Sequence, residues 1–324
     1  MAETVRRLAA IAIGRNEGAR LERCLRSLEP ARVPVVYVDS GSTDGSEDLA
    51  RRIGATVHEL ATDRPFTAAR ARAEGFTAML AKMPEPDYVM FVDGDCEIEP
   101  GWLEQAMAFL DSEPGYAVVC GRRRERHVDA SPYNRLIDKE WATPVGAADA
   151  CGGDAMFRCS AYVAAGGFDP AMIAGEEPEL CSRLCALGWK IMRMDAPMTI
   201  HDAAMERFSQ WWRRAVRSGI GYAQAWWATR RSPAGGLYFR QLARAIGWAG
   251  VLPLASLVLA VAWHPLWLAL WPAATLAQLV RVAVRDGWFA ARLAVAGKYA
   301  ELIGIARFLG RSLRGRTGGT VSYK

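Results

Sequence analysis

Two aspartates one residue apart, Asp93 and Asp95, close the apolar run Val89-Met90-Phe91-Val92. A short apolar run of this kind reads as a buried strand. Side chains alternate along a strand, so residues two apart point to the same side. Paired carboxylates at a strand end can hold a hard divalent cation, and such a cation commonly carries phosphates. The same pair also serves as an ordinary turn former or helix cap, so its neighbours decide between the two.

The elements that must position this pair follow from the hydrophobic pattern. Residues 8–13, 33–38, 55–58 and 88–92 read as strands, and residues 17–28, 46–53, 67–82 and 101–110 as helices. Ser42-Thr43-Asp44 supplies side chains that accept the free amides of a helical first turn. This alternation predicts a parallel α/β sheet with right-handed crossovers. Ligands of such sheets sit beyond the carboxyl ends of the strands, where Asp39, Asp93 and Asp95 all fall. Beyond a strand at residues 116–121 the pattern becomes irregular, and residues 122–145 read as an excursion around an acceptor or a partner. A glycine-led strand (152–158), a helix (179–187) and a last strand (189–194) precede His201.

The chain has 324 residues, 51% of them hydrophobic, and a net charge of +5. From Arg281 onward nine Lys and Arg stand against Asp286 and Glu301, so the first 280 residues are slightly acidic. The basic excess belongs to the tail, and no nucleic-acid groove is expected. Seven cysteines are scattered without a C-x-x-C. That fits buried, reduced thiols in cytoplasm better than a disulfide framework or a zinc site. The N-terminus shows no apolar export signal.

Residues 246–280 carry no formal charge, His264 being neutral, and break at Trp263-His264-Pro265. A spanning helix needs roughly 17–25 apolar residues, so the two halves either cross and return or lie as a re-entrant hairpin. The alternative is a buried helical pair in a soluble protein or a dimer interface. Trp248, Trp263, Trp267 and Trp271 suit a membrane interface, and residues 288–313 have the mixed composition of an interfacial helix.

Six motifs stand in order: Ala12-Ile13-Gly14-Arg15-Asn16-Glu17, the run Val38-Asp39-Ser40-Gly41-Ser42-Thr43-Asp44-Gly45-Ser46, Ala69-Arg70, Asp93-Gly94-Asp95, Gly166-Gly167-Phe168-Asp169, and Gly175-Glu176-Glu177-Pro178-Glu179-Leu180. Over residues 7–222 the chain resembles the family 2 glycosyltransferases. The resemblance implies the GT-A fold, an α/β class with a Rossmann-like mixed sheet that binds nucleotide-diphospho-sugars. It implies a catalytic domain at 1–230; the hydropathy and charge pattern places a hydrophobic helical hairpin and a basic amphipathic membrane-associated tail at 231–324.

The family pattern also distributes roles. Asp39 either accepts from a uracil N–H or only closes its turn. Asn16 and Glu17 lie beside it, Glu17 touching ribose or base or merely starting a helix. Arg70 meets the uridine or diphosphate, or solvates a helix face. Asp93 contacts ribose or metal and Asp95 the metal, Mn²⁺ or Mg²⁺, with His201 completing the site; imidazole suits Mn²⁺ better. The usual Glu-Asp pair stands here as Glu176-Glu177, and by position Glu177 is the base that takes the acceptor proton. Glu176 is its alternate. Asp154 and Glu179 fall to the acceptor side, Glu179 being a further alternate base.

Gln210-Trp211-Trp212-Arg213-Arg214 is similar to the Q-x-x-R-W motif of processive synthases, with Arg214 where Trp is expected. Arg213 and Arg217 either clamp the diphosphate or lie on anionic lipid. The main expectation is an inverting transfer of one sugar from a nucleotide donor, UDP-linked by preference, to a lipid-linked or saccharide acceptor in surface-glycan assembly. The enzyme would work on the cytoplasmic face of the inner membrane, with membrane lipid and a second copy of the chain as further partners. A processive polysaccharide synthase and a non-catalytic nucleotide-sugar-binding scaffold are the competing readings.

Overall fold

The structure is a computed structural model and describes residues 7–232 and 235–314. These residues divide into two compact units, broken between Ala204 and Met205. The expected boundary at 230/231 placed one more helix in the first unit.

In the first unit, strands β1 (Leu8–Gly14), β2 (Val35–Asp39), β3 (Thr56–Glu59) and β4 (Tyr88–Asp93) alternate with helices α1 (Ala19–Leu28), α2 (Ser46–Ile53) and α3 (Ala68–Leu80). β3, β2, β1 and β4 pair in parallel, in that order. β1 and β4 are apolar along nearly their whole length because both faces of such a sheet are covered. α1 buries Leu21, Cys24, Leu25 and Leu28, one stripe at helical spacing. The side chain of Thr67 caps α3 by accepting the Arg70 amide.

The far half of the sheet is mixed. It contains β5 (Cys96–Ile98), helix α4 (Trp102–Ser112), β6 (Tyr116–Glu125), helix α5 (Pro132–Trp141), β7 (Gly146–Ala147), β8 (Ala155–Arg158), helices α6 (Cys159–Ala164) and α7 (Glu176–Ala186), and β9 (Lys190–His201). The strand order is β3-β2-β1-β4-β8-β6-β9-β5, with β7 on β9. β8 runs antiparallel to both β4 and β6, so the sheet is not wholly parallel as the alternation predicts. The irregular 122–145 stretch is the end of β6 followed by α5. β9 continues past residue 194 to His201, and its end pairs with β5.

The second unit is helical: α8 (Phe208–Thr229), α9 (Phe239–Ile246), α10 (Leu252–Ala262), α11 (Leu270–Asp286) and α12 (Trp288–Leu313). A π-helical turn, Gly247–Val251, joins α9 to α10. Two stretches, Phe239–Ala262 with 24 residues and Pro265–Asp286 with 22, are long and apolar enough to cross a membrane and are mostly unburied. His264 Nδ1 accepts the Leu266 amide at the break between them. α12 is not a lone interfacial helix. It packs on α8 through Gly219, Gly297 and Gly304. A methyl group at Gly304 would lie 2.0 Å from the Val216 carbonyl oxygen, so only glycine permits this approach.

Candidate active site

The site is built at the carboxyl end of β4. The strand stops at Asp93, and Gly94-Asp95 is a turn. Gly94 donates its amide to the Ile13 carbonyl at 2.7 Å, and a β-carbon there would lie 3.0 Å from that oxygen. The turn cancels the period-two rule. The two aspartates therefore join different groups, Asp95 with Cys96 and His201, Asp93 with Cys96 and Asp154.

Asp95 faces His201 because β5 pairs antiparallel with β9, with Cys96 opposite His201. Asp95 Oδ1 lies 3.4 Å from His201 Nε2. The Asp202 amide donates to the Asp95 carbonyl at 3.0 Å and locks the corner. Behind the ring, His201 Nδ1 is buried, forms no hydrogen bond and lies 3.5 Å from Glu125 Oε2. Glu125 also accepts from the amides of His127 and Ala203. Burial pushes its carboxyl up, but the His201 ring and these amides outweigh that and hold it below its ordinary value. The Trp141 indole stands edge-on to the imidazole, centroids 4.6 Å apart. A carboxylate, an imidazole with one nitrogen turned toward it and a second carboxylate behind the ring form a donor set that fits Mn²⁺ or Mg²⁺.

Asp93 is held by two arginines. Arg72 Nη2 donates to Asp93 Oδ1 at 2.6 Å, and Arg123 Nη2 lies 3.6 Å from Asp93 Oδ2. Burial alone would raise this carboxyl; Arg72, Arg123 and His201 outweigh it and lower it. The other end of Arg72 donates Nη1 to Glu176 Oε1 at 2.8 Å. Its guanidinium lies over Phe168, 5.5 Å from the centroid, and Phe168 packs edge-on against Phe91 of β4. Burial works against the Arg72 charge, yet the Asp93 and Glu176 carboxylates raise its pKa above the ordinary value. Arg72, Arg123, Glu125 and Trp141 are not among the expected site residues. The one signal in the sequence is the pair Arg70 and Arg72, at i and i+2 among the alanines of the first turns of α3.

Glu176 and Glu177 open α7. Glu177 Oε1 accepts the Cys151 amide, in a short contact, and the Cys181 thiol at 3.1 Å. Its partners are thus neutral, whereas Glu176 is paired with a cation.

Other expected residues have different tasks. Asp154 does not face an acceptor. It is fully buried, accepts the Asp93 amide and the Thr199 hydroxyl at 2.9 Å each, and pairs with Arg123 at 2.6 Å. Glu179 is likewise withdrawn: it holds Arg183 through two bonds, at 2.8 and 2.7 Å, and Arg183 braces the Gly167 carbonyl. Asp39 closes its own turn, accepting the Gly41 and Ser42 amides on Oδ2 and the Tyr37 hydroxyl on Oδ1. Asn16 ties the β1 loop to the β2 loop, accepting the Thr43 amide at 2.7 Å and donating its own amide to Ser42. Glu17 pairs with Arg20 at 2.8 Å. Arg70 is buried, with Nε on Glu74 and Nη1 on the Arg64 carbonyl, while Nη2 has no hydrogen-bond partner. Arg213 and Arg217 lie on α8 in the second unit.

The family model for glycosyl transferase family 2 matches residues 11–164, which run from β1 to α6 and include the Asp93-Gly94-Asp95 turn. Residues 11–164 are thus a glycosyl transferase family 2 domain. It is 24% identical over 318 residues to the succinoglycan biosynthesis protein ExoA of Rhizobium meliloti, covering 90% of this chain and 94% of that one. It is 27% identical over 201 residues to the pre-mycofactocin glycosyltransferase of Mycobacterium tuberculosis, which covers 58% of this chain and 41% of the relative. Among solved structures, a mannosyltransferase of Pyrobaculum calidifontis in complex with GDP-Man and Mn²⁺ superposes with a TM-score of 0.63 at 21% identity, over 94% of this chain and 88% of that one. The fold is therefore GT-A, and the protein is a glycosyltransferase that uses a nucleotide-sugar donor.

Proposed function

We propose that this family 2 enzyme is an inverting, divalent-metal-dependent transferase that adds one sugar from a UDP-linked donor to a lipid-linked acceptor at the cytoplasmic face of a membrane. The observation that carries the metal dependence is the approach of Asp95 to His201, 3.4 Å apart, with Glu125 behind the ring. A divalent cation held by Asp95 and His201 would neutralise the departing diphosphate. The mannosyltransferase of like fold carries Mn²⁺.

Within this reading the chain's own groups divide the work. Asp93, fixed by Arg72 and Arg123, addresses the ribose. Glu177 removes the proton from the acceptor hydroxyl as that oxygen attacks the anomeric carbon. Its hydrogen-bond donors are an amide and a thiol, whereas Glu176 is tied up in an ion pair with Arg72, so Glu177 is the carboxylate left for proton transfer. The lipid acceptor is motivated by the two apolar helices, Phe239–Ala262 and Pro265–Asp286, and by the ExoA relative, a succinoglycan biosynthesis protein.

The test is a screen of nucleotide sugars with the full chain in detergent, reading nucleotide release with Mn²⁺ or Mg²⁺ and polyprenyl-linked acceptors. A UDP-sugar should be turned over only with the cation, and faster with the lipid acceptor. Transfer to free saccharides alone, and never to polyprenyl-linked ones, would refute the lipid reading. Turnover indifferent to chelation would refute the metal reading.

A further inference from the structure

Two thiols that are 30 positions apart in sequence meet beside the candidate base. Cys151 Sγ lies 3.7 Å from Cys181 Sγ, and Cys181 Sγ lies 3.1 Å from Glu177 Oε1. Cys151 lies in the middle of the loop between β7 and β8, and Cys181 sits one turn after Glu177 on α7. All three side chains are buried, and their ligand atoms lie within 4.8 Å of one another. Cys185, one turn further along α7, is exposed. No C-x-x-C marks the pair, which is why the spacing of cysteines argues against a metal site.

We propose that Cys151, Cys181 and Glu177 form a binding site for one thiophilic divalent cation, Zn²⁺ being the type, separate from the hard-cation site at Asp95 and His201. Geometry is the first argument. Zinc–sulfur bonds of about 2.3 Å at a tetrahedral angle require a sulfur–sulfur separation of about 3.8 Å, and the observed value is 3.7 Å. A zinc–oxygen bond of about 2.1 Å requires a sulfur–oxygen separation of about 3.6 Å. Against 3.1 Å, the carboxylate must draw back by about half an ångström. The second argument is softness: two sulfurs select Zn²⁺ over Mn²⁺ or Mg²⁺.

Charge is the third. Binding releases two thiol protons, so two thiolates, a carboxylate and Zn²⁺ leave one net negative charge. It would sit in the first turns of α7, where the helix dipole favours an anion. The Arg193 guanidinium, which donates to the Ala150 carbonyl at 3.0 Å, lies one residue from Cys151. Three protein ligands leave a fourth position to water. Gly152, the neighbour of Cys151, is exposed, so the loop that carries Cys151 reaches solvent.

One consequence rests on the reading of Glu177 as the base. Zinc would take the carboxylate out of proton transfer and cut turnover by about 10²-fold or more, the contribution of one general base. Because the sites are chemically distinct, excess Mn²⁺ would not restore it, whereas a zinc chelator used with Mn²⁺ replenished would.

The experiment uses the full chain in detergent and Co²⁺ as the spectroscopic probe for zinc. A sulfur-to-cobalt charge-transfer band should saturate at one Co²⁺ per chain and be bleached by Zn²⁺. It should persist in Cys185→Ser and disappear in Cys151→Ser and Cys181→Ser. Zinc X-ray absorption on the unmutated protein, which should count two sulfurs, answers the question even if a variant fails to fold. Absence of the band, no sulfur around zinc, or a band unchanged in both cysteine variants overturns the site. A band with the expected cysteine dependence but undiminished turnover supports the site and overturns Glu177 as base.

Discussion

Replacing Arg72 by Met tests the electrostatic frame of the site. The Arg72 side chain is 3% exposed, its partners Asp93 and Glu176 are 27% and 11% exposed, and the two bonds are 2.6 and 2.8 Å. Breaking a buried ion pair from one side costs about 3–5 kcal/mol, because a charge is left without a partner. Arg123, 3.6 Å from Asp93, and the partial exposure of Asp93 favour the lower end, near 3 kcal/mol. At 2–4 °C per kcal/mol for a unit of this size, the first unit should melt about 6–12 °C lower at neutral pH. The deficit should depend on pH. In the wild type the Asp93 carboxyl is lowered in the fold, so its contribution is present above its unfolded value of about 3.9 and is lost as pH falls through the folded value. Without Arg72 the largest of the three lowering charges is gone, and burial is expected to move the carboxyl up. Its contribution is then present below about 3.9 and lost as pH rises through the new folded value. The gap between variant and wild type should therefore be widest at neutral pH and narrow toward about pH 4–5. Circular-dichroism melts of the full chain in detergent at both pH values measure this. A melting temperature within about 2 °C of wild type at neutral pH, or a gap that does not narrow on acidification, would refute the reasoning.

Three further outcomes follow from the same geometry. Asp95→Ala should cut metal-dependent nucleotide release by about 10²-fold or more, and Glu125→Gln, by loosening His201, should weaken Mn²⁺ affinity by roughly 10–100-fold; titration of activity with Mn²⁺ separates the two. Glu177→Gln should lose about 10²–10⁴-fold in turnover with donor affinity kept, while Glu176→Gln should mainly weaken the Arg72 frame; a larger turnover loss in Glu176→Gln would exchange the roles. Gly304→Ala would place a methyl 2.0 Å from the Val216 carbonyl oxygen and should cost the second unit about 1–3 kcal/mol, read as an earlier melt in detergent.

The first half of the sheet is legible because its signals are local. β1 and β4 are unbroken apolar runs, α1 carries a regular stripe, and Ser42, Asp44 and Thr67 mark turns and caps. The far half is not, because β8 is inserted antiparallel between β4 and β6, and nothing in a four-residue strand states its direction. The approach of Asp95 to His201 depends on the same long-range pairing: more than a hundred residues separate Cys96 from its partner on β9. The site residues that are held by the protein's own groups share one circumstance. Asp39, Asp154 and Glu179 are polar residues near strand or helix ends, where ligands gather, but each has all or most of its oxygens turned inward to amides or arginines. Residue type and position report where a carboxylate is, and only its partners report whether it is free.

That distinction bears on how the two ends of the site are coupled. Asp93 closes β4 and Glu176 opens α7, 83 positions further along the chain. Arg72 joins them through one guanidinium, and its planar fork can serve both carboxylates where a lysine would serve one. Arg123 repeats the device, linking Asp154 under the Asp93 amide to the wall formed by Trp141, 5.3 Å away. The half-buried carboxylate at Asp95 and the base candidate at Glu177 each lie within two residues of a carboxylate that Arg72 fixes, Asp93 and Glu176. An acidic site that must keep several carboxylates ionised close together needs such cations, and burying them makes each indispensable. A change that spares every acidic residue can therefore disable the site, and Arg72 is where that should be seen first.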